Sequence, residues 1–190
     1  YEKNNPRAPN APWLMVGSIE PRKNHACALD AYELYHASSP APRPLHIVGG
    51  RGWASDDIHE RITSMSAVGL PVHYRGYVDE RALRNAYQQA FALLQPSWHE
   101  GFGLPVLEAF SQSLPVIASD CASLPEVSGG AAILCPPNTP AVWGENMLRL
   151  EQDIELQRRL VRDGLLRADD YSWGKTAKTV LELARELRVT

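Results

Sequence analysis

Short apolar segments and helix-like segments alternate along almost the whole chain, and this alternation is the strongest constraint on its fold. Glycine, proline or polar residues bound each apolar segment, which is the pattern of a buried strand. Strands that alternate with helices predict an α/β fold with a parallel sheet and crossover helices. Six such strands predict a Rossmann-like sheet, whose ligands bind at the carboxyl ends of the strands where the strand order reverses.

The predicted strands cover residues 13–17, 45–50, 72–76, 91–95, 115–118 and 131–134. The predicted helices run from about 22 to 37, from 55 to 68 and from 104 to 112, with a short helical turn at 124–127. Another helix, capped by Asp79, carries an apolar face of Leu83, Ala86, Tyr87 and Ala90. From Thr139 onward the chain is predicted to be helical, with breaks at Gly164 and Ser172.

Length and composition predict one globular domain with a sizeable core. The chain has 190 residues, of which 22% are charged and 44% hydrophobic, and its net charge is -3. Without a basic run that carries interleaved aromatic residues, there is no reason to expect a nucleic-acid partner. The sequence has neither a signal peptide nor an apolar run of membrane-spanning length, so a cytoplasmic location is expected.

The three cysteines, Cys27, Cys121 and Cys135, are far apart and lie in apolar surroundings. They are therefore expected to be small buried hydrophobic residues of a reducing compartment, and they lack the spacing of metal ligands. Residues 1–12 are polar and proline-rich and lack an initiator methionine, so they are predicted to be a linker from a preceding domain that this chain does not include. Residues 13–190 are predicted to form the domain itself.

The segment that follows the fourth strand has the features of an anion-binding turn. Gly101 and Gly103 allow the backbone to approach a ligand closely, and Pro105 suits the first turn of a helix, whose N–H groups and dipole attract phosphate. Glu100 and Glu108, on either side, can accept hydrogen bonds from the hydroxyls of a sugar or ribose. Glycine turns also serve simple chain reversal, so this motif alone leaves a purely structural role open.

A second motif follows the first strand, where Arg22 and Lys23 stand together at a predicted helix start. The helix dipole disfavours cations at that position, and an anionic ligand would explain them. Arginine can bind a phosphate through two parallel donors, and lysine acts as a point charge. The alternative is a solvated pair in a surface loop, but a second phosphate-ready turn in the same sheet favours the ligand.

Taken in order, these motifs make the chain resemble the C-terminal, donor-binding half of a retaining glycosyltransferase of family 4, one half of a GT-B architecture of two facing Rossmann-like domains. The resemblance extends from Trp13 to the final helix and rests on segments 17–24, 48–50, 76–78, 100–108, 115–119, 124–127 and 171–173, with Leu83 and Tyr87. Ser113 departs from it, because the family usually has glycine there. This departure puts only the geometry of the local helix end in doubt.

The resemblance implies a role for each matching residue. Arg22 and Lys23 would bind the donor diphosphate and stabilise the leaving group, and Glu100 would bind hydroxyls of the donor sugar. The other implied donor-binding positions are Gly17 and Gly50, Tyr77 and Val78 near the base, Gly101, Phe102, Gly103 and Leu104 at the phosphates and sugar, and Glu108 at the ribose. His99, which is adjacent to Glu100, is the histidine most worth testing.

The implied reaction is the transfer of a hexose, with retention, from a nucleoside diphosphate sugar to an acceptor saccharide or lipid-linked saccharide. Segment 17–24 is most similar to that of mannosyltransferases of surface polysaccharide assembly, which favours GDP-mannose. The resemblance implies no metal and no other cofactor. It also implies that the preceding N-terminal domain supplies the acceptor site, that this fragment alone is inactive, and that the enzyme lies in the cytoplasm or at the inner face of the membrane.

Two alternatives remain open from the sequence. A non-catalytic Rossmann-like module that docks against a partner would share the fold, and it predicts that Arg22, Lys23 and Glu108 are dispensable. A sugar-nucleotide epimerase or a phosphorylase shares the two-domain layout and is a weaker interpretation. The last predicted helix, about 175–188, has a partial apolar stripe that is expected to pack on the core, in preference to an interface with the preceding domain; the stripe comprises Val180, Leu181, Leu183, Ala184 and Leu187.

Overall fold

The structure, a computed structural model, describes residues 8–186 and contains a six-stranded parallel sheet in the order β3-β2-β1-β4-β5-β6. Its strands are β1 Trp13–Val16, β2 Leu45–Val48, β3 Val72–Gly76, β4 Ala92–Gln95, β5 Val116–Ser119 and β6 Ile133–Cys135. All neighbouring strands run parallel. The predicted Rossmann-like α/β fold is therefore confirmed, and the strand bounds differ from the predicted segments by at most two residues at either end.

Eight α-helices in the described residues surround this sheet. They are α1 His25–Ser38, α2 Asp56–Ala67, α3 Glu80–Gln89, α4 Leu104–Ser111, α5 Leu124–Ser128, α6 Pro140–Gln152, α7 Ile154–Asp170 and α8 Trp173–Glu186. The predicted cap of α3 is confirmed, because Asp79 accepts a hydrogen bond from the Ala82 N–H at 2.7 Å. The helix predicted from residue 22 begins instead at His25, after a 3-10 turn at Pro21–Lys23, because Asn24 has a left-handed backbone with a φ of 55°.

The core has two parts, one on each face of the sheet, because successive strand residues point to opposite faces. Trp13 and Met15 of β1 pack with helices α1, α2 and α6 on one face. Leu14 of the same strand packs with α3, α4 and α5 on the other. The strands are apolar on both faces, as expected for a parallel sheet covered by helices. Because helices cover both faces of the sheet, the polar loops of the site lie at the carboxyl ends of the strands.

The predicted break at Gly164 is wrong, because α7 continues through it. A Cβ at Gly164 would lie 2.6 Å from Cδ1 of the fully buried Phe110, so glycine allows close packing of α7 on α4. The break lies instead at Asp153, whose side chain caps α7 by accepting from the Leu156 N–H at 2.9 Å. The predicted break at Ser172 is confirmed, since α7 ends at Asp170 and α8 begins at Trp173.

The expectation that the stripe of α8 packs on the core is wrong for the residues described. Val180, Leu181 and Leu183 are each more than half exposed, and Ala184 is also exposed. Leu187 lies outside the described residues, as do residues 1–7 of the predicted linker. No helix in the described part of the chain is long and apolar enough to cross a membrane.

Two of the three cysteines are buried as predicted, Cys27 and Cys135. Cys121 is only partly buried, because it lies in the loop after β5, where its Sγ contacts the backbone oxygens of Ser97 and Trp98. At Ser113 the φ is +56°, the left-handed conformation that favours glycine. The departure from glycine noted in the sequence therefore falls on a strained helix end.

Candidate functional site

The two predicted motifs lie on either side of the point where the strand order reverses. β1 pairs with β2 on one side and with β4 on the other. The connections that leave β1 and β4 therefore diverge to opposite sides, and a crevice opens between them at the carboxyl edge of the sheet. The loop after β1 carries Arg22 and Lys23, and the loop after β4 carries Glu100 and the glycine turn.

Hydrogen bonds to backbone oxygens fix the loop after β1 against the segments after β4 and β6. The left-handed Asn24 directs its side-chain amide to the Pro96 and Pro137 carbonyl oxygens, at 3.0 and 2.8 Å. The Trp98 N–H donates to the Arg22 carbonyl at 2.8 Å. Gly17 has a φ of +135°, and a Cβ there would lie 3.2 Å from Cε of Lys23, so the lysine stem packs directly over this glycine.

The carboxylate of Glu100 is the centre of the site. Its Oε1 accepts hydrogen bonds from Nζ of Lys23 at 2.7 Å, from Nε2 of Gln95 at 2.6 Å and from Oγ of Ser97 at 2.7 Å. Its Oε2 accepts from a terminal nitrogen of Arg22 at 3.1 Å. The structure thus brings together Arg22, Lys23 and Glu100, as expected for two motifs at the same edge of one sheet.

The surroundings of Glu100 keep it ionised although it is buried. Burial by itself would raise the pKa of this carboxyl, but hydrogen bonds from Lys23 and Ser97 and the charges of Lys23 and Arg22 outweigh burial and lower the pKa below its usual value. Lys23 is buried as well, with 10% of its side chain exposed. The buried pair is therefore a fixed part of the site.

Arg22 is the accessible cation of the cluster. Its side chain is 45% exposed, and its second terminal nitrogen lies 2.6 Å from Oε1 of Glu20. The two cations thus lie beside two carboxylates, those of Glu20 and Glu100, and the cluster has no net charge. An anion that enters the crevice meets Arg22 first, because the lysine is held behind it.

The glycine turn opens α4 as predicted. Gly103 is the N-cap residue, with a φ of +102°, and a Cβ there would lie 3.1 Å from Leu124. A Cβ at Gly101 would have no neighbour within 4 Å, so the backbone faces open space at this position. Since the cap is glycine, it supplies no side chain to the first N–H groups of α4, and Gly101, Phe102 and Leu104 are exposed. The first N–H groups of a helix suit an anion.

Glu108 lies one turn along α4 and is exposed, and it has a different partner. Its Oε2 accepts a hydrogen bond from the buried Tyr87 hydroxyl at 2.6 Å. Burial and the neighbouring Glu108 charge raise the pKa of Tyr87 far above its usual range, so the phenol stays a donor. Tyr87 thereby orients a carboxylate that remains accessible to a ligand.

The remaining predicted positions lie along the same edge of the sheet. Gly50 follows β2 and accepts a backbone hydrogen bond from Ile19 at 3.0 Å. Tyr77 and Val78 follow β3, where Tyr77 is almost fully exposed and Val78 is half-buried. The structure shows no contact of these residues with the Arg22, Lys23 and Glu100 cluster in the described part of the chain.

The sequence-based reasoning missed three polar residues of the cluster, Glu20, Gln95 and Ser97. Gln95 did carry a signal, since it is a polar residue at the end of an otherwise apolar strand. His99 contributes only its backbone oxygen to the cluster, 3.4 Å from Arg22. Among residues 8–186 there is no group of three or more histidine, cysteine or acidic residues that could hold a metal ion.

Comparisons with known proteins agree with one another. A family model described as glycosyl transferases of group 1 matches residues 12–153. Over 160 residues the chain is 36% identical to the O-antigen chain mannosyltransferase B of Escherichia coli, a match that covers 84% of this chain and 42% of that protein. The chain thus spans less than half the length of this curated relative.

Two solved structures show the same fold. Sucrose-phosphate synthase from Thermosynechococcus elongatus matches with a TM-score of 0.78 and 25% identity, over 96% of this chain and 47% of that one. The C-terminal domain of a group 1 glycosyl transferase, LpcC, from Francisella tularensis matches with a TM-score of 0.74 and 19% identity, over 90% of this chain and 94% of that domain.

Proposed function

The chain belongs to the group 1 glycosyl transferases, and we propose that it binds a nucleoside diphosphate sugar whose hexose is transferred, with retention, to an acceptor hydroxyl. The observation that carries this proposal is the meeting of Arg22, Lys23 and Glu100 beside the open N-terminus of α4. Cations and N–H groups suit the diphosphate, and a buried ionised carboxylate suits sugar hydroxyls. Glycosyl transfer from a nucleoside diphosphate sugar needs one site that binds the diphosphate and the sugar hydroxyls together.

The diphosphate is the leaving group, so negative charge grows on it in the transition state. Fixed donors and cations aimed at that charge lower the barrier, since they need no reorganisation during the reaction. In this proposal Arg22 leaves the Glu100 carboxylate to engage the phosphates, and the buried Lys23 adds a fixed positive charge. The N–H groups of Gly101, Phe102, Gly103 and Leu104 complete the anion site, with no metal involved.

The rest of the donor lies along the sheet edge in the same proposal. Glu108, oriented by Tyr87, accepts from the ribose hydroxyls. The base lies near the backbone of Tyr77 and Val78, after β3. Gly17 and Gly50 leave room for the donor at the ends of β1 and β2. The 36% sequence identity to a mannosyltransferase of O-antigen chains supports GDP-mannose as the donor and a surface polysaccharide as the product.

The acceptor side belongs to another part of the protein in this proposal. The chain matches only 42% of the length of the E. coli relative, which leaves ample sequence there for a second domain. We assign the binding of an acceptor saccharide, or of a lipid-linked saccharide at the inner face of the membrane, to a domain that precedes residue 13. This chain alone is then expected to bind the donor without transferring its sugar.

The test uses the full-length protein, an acceptor extract from a strain that makes the polysaccharide, and a panel of nucleoside diphosphate sugars. We expect one donor, GDP-mannose, to yield both the free nucleoside diphosphate and a glycoside, and Arg22→Met or Glu100→Gln to reduce turnover at least about a hundredfold. Glu155→Gln changes an exposed carboxylate on α7 and is the matched control. No turnover of any donor, or full turnover in both site variants, would overturn the proposal and favour a docking module.

A further inference from the structure

Gln95 is a buried amide at the centre of the sheet's carboxyl edge. It is the last residue of β4, which lies between β1 and β5, and only 2% of it is exposed. The residues before it in the strand, Ala92, Leu93 and Leu94, are apolar. A buried amide costs free energy unless it is hydrogen-bonded, and in the described residues Oε1 of Gln95 has no hydrogen-bond partner. The contacts of Nε2 should therefore account for the presence of this residue.

Those contacts form a closed triangle with Ser97 and Glu100. Nε2 of Gln95 donates to Oγ of Ser97 at 2.9 Å and to Oε1 of Glu100 at 2.6 Å. Oγ of Ser97, which is fully buried, donates to the same Oε1 at 2.7 Å. The amide orientation is fixed by this arrangement, because the reverse orientation would place its oxygen against the carboxylate.

The two oxygens of Glu100 therefore have unequal surroundings. Oε1 receives three donors, from Gln95, Ser97 and Lys23, all at 2.6 to 2.7 Å from buried side chains. Oε2 receives Arg22, at a longer 3.1 Å and from a side chain that is 45% exposed. Only the partner of Oε2 can leave without an opening of the core.

We propose that Gln95 and Ser97 are positioning residues, which commit Oε1 of Glu100 to the protein and so turn Oε2 toward the crevice as the acceptor for one hydroxyl of the donor sugar. This inference rests on the proposed function. Its chemistry is an exchange, in which Arg22 moves from Oε2 to the donor diphosphate and a sugar hydroxyl takes its place. The donor thus supplies the new partners of both groups, so neither Glu100 nor Arg22 is left unpaired.

Ser97 also supports the charge of Glu100. The charged groups that contact this carboxyl are Lys23 and Arg22, and the neutral donors are Gln95 and Ser97. Glu20 pairs with Arg22. The hydrogen bond from Ser97 is among the interactions that lower the pKa of Glu100 against the effect of burial. Loss of Ser97 should therefore raise this pKa, and the carboxylate should be protonated at a higher pH than in the unmodified enzyme.

The experiment compares Gln95→Met, which is close in size, and Ser97→Ala with the unmodified full-length protein. We expect the KM for the sugar nucleotide to rise about tenfold in each, as for a lost hydrogen bond to a charged group, with the affinity for the free nucleoside diphosphate changed by less than about threefold. The acid limb of kcat/KM against pH should move to higher pH in Ser97→Ala. Ser111→Ala, which removes an exposed hydroxyl of α4, is the control.

The outcomes separate this inference from the proposed function. If the unmodified protein turns over no sugar nucleotide, or if Arg22→Met and Glu100→Gln both have ordinary kinetics, the proposed function fails. If only Glu100→Gln has ordinary kinetics, the inference fails and the proposed function stands. If Glu100→Gln is impaired but both variants keep the ordinary KM and pH profile, the inference alone fails. A parallel fall in affinity for sugar nucleotide and for free nucleoside diphosphate would also overturn it, since that result indicates a general loss of structure. Two separate variants guard against misfolding of either one.

Discussion

Nζ of Lys23 lies 2.7 Å from Oε1 of Glu100, although the two residues are 77 positions apart in the sequence. The two side chains form a buried ion pair, in which each neutralises the charge of the other, at the crevice between β1 and β4. Arg22, which precedes Lys23 in the sequence, also pairs with Glu100, but 45% of its side chain is exposed. Two adjacent cations of one loop therefore have different roles, one structural and electrostatic, the other exchangeable.

This difference predicts unequal effects on stability. Lys23→Met leaves Glu100 buried with one cation fewer, and we expect it to lower the free energy of unfolding by about 3 kcal/mol. Arg22→Met removes a half-exposed partner and should cost less than about 1 kcal/mol. Urea denaturation of the full-length protein measures both. Equal losses would show that the two cations support Glu100 to the same extent.

Much of this arrangement follows from the sequence because parallel strand ends share one edge. Arg22 and Lys23 follow β1 and Glu100 follows β4, so their meeting needed only the correct strand order. Gln95 and Ser97 could not be assigned in the same way. Their role depends on which oxygen of Glu100 each donor reaches, and hydrogen-bond geometry of this kind is not encoded in spacing or periodicity.

The errors of the sequence-based prediction have a common cause as well. A glycine such as Gly164 reads as a helix breaker, and only the position of Phe110 on α4 shows that it is a packing site. The apolar stripe of α8 has the period of a core-facing helix, yet its leucines are exposed in the described part of the chain. A one-dimensional pattern indicates that a face is apolar but does not say what lies opposite to it.

Gly164 supports a prediction that runs against helix propensity. Gly164→Ala would normally favour a helix, but here the new methyl group would lie 2.6 Å from Cδ1 of Phe110. We expect the variant to be destabilised by about 1 to 3 kcal/mol. Gly174→Ala in α8 is the matched control, since the nearest atom to its Cβ is 4.0 Å away, and it should stabilise by up to about 1 kcal/mol. Thermal unfolding of both variants decides the point, and stabilisation by both would contradict the packing role.

Ser113 supports a stabilising change. Its φ of +56° is unfavourable for a residue with a Cβ, and its N–H already bonds to the Phe110 oxygen at 3.0 Å. Ser113→Gly should relieve this strain and raise the free energy of unfolding by roughly 0.5 kcal/mol, after the greater freedom of glycine in the unfolded chain is taken into account. The same change at Ser111, the last residue of α4, should destabilise instead. A loss of stability at Ser113 would show that the interactions of the serine outweigh the backbone strain.

His25 predicts how stability depends on pH. Burial, followed by the charges of Lys23 and His59, lowers the pKa of this histidine to about 4 in the folded protein. In the unfolded chain the pKa of His25 is about 6.5, so between about pH 4 and 6.5 the unfolded chain binds more protons than the folded protein. The stabilisation from neutral His25 is therefore complete above about pH 6.5 and is lost as the pH falls toward 4.

The measurement is the free energy of unfolding between about pH 4 and 7. His25→Gln should flatten this dependence, and His99→Gln, a change at an exposed histidine of the loop after β4, should leave it intact. His46, whose pKa is also lowered to about 4 by burial and then by the charges of Arg75 and His73, should account for part of the remaining slope. An unchanged slope in His25→Gln would mean that His25 protonates without disturbing the fold.

The glycine turn has a further support in the far end of α7. The ring of Phe102 meets Tyr171 edge-on, with ring centres 5.7 Å apart. Arg167 holds that tyrosine through a hydrogen bond of 2.8 Å to its hydroxyl, and it also donates to the backbone oxygens of Glu126 and Val127 at the end of α5. Through Arg167, Tyr171 thus connects the glycine turn to helices α5 and α7.

Loss of this contact should loosen the turn without unfolding the domain. Aromatic pairs contribute about 0.5 to 1.5 kcal/mol beyond burial, so Tyr171→Ala should raise the KM for the sugar nucleotide roughly two- to tenfold in the full-length protein. Tyr171→Phe keeps the ring and loses only the bond to Arg167, and it should remain near the unmodified value. Leu166→Ala, at an exposed position of α7, controls for changes to the helix itself. If Tyr171→Phe is impaired as strongly as Tyr171→Ala, the hydrogen bond to Arg167, rather than the ring contact with Phe102, fixes the turn.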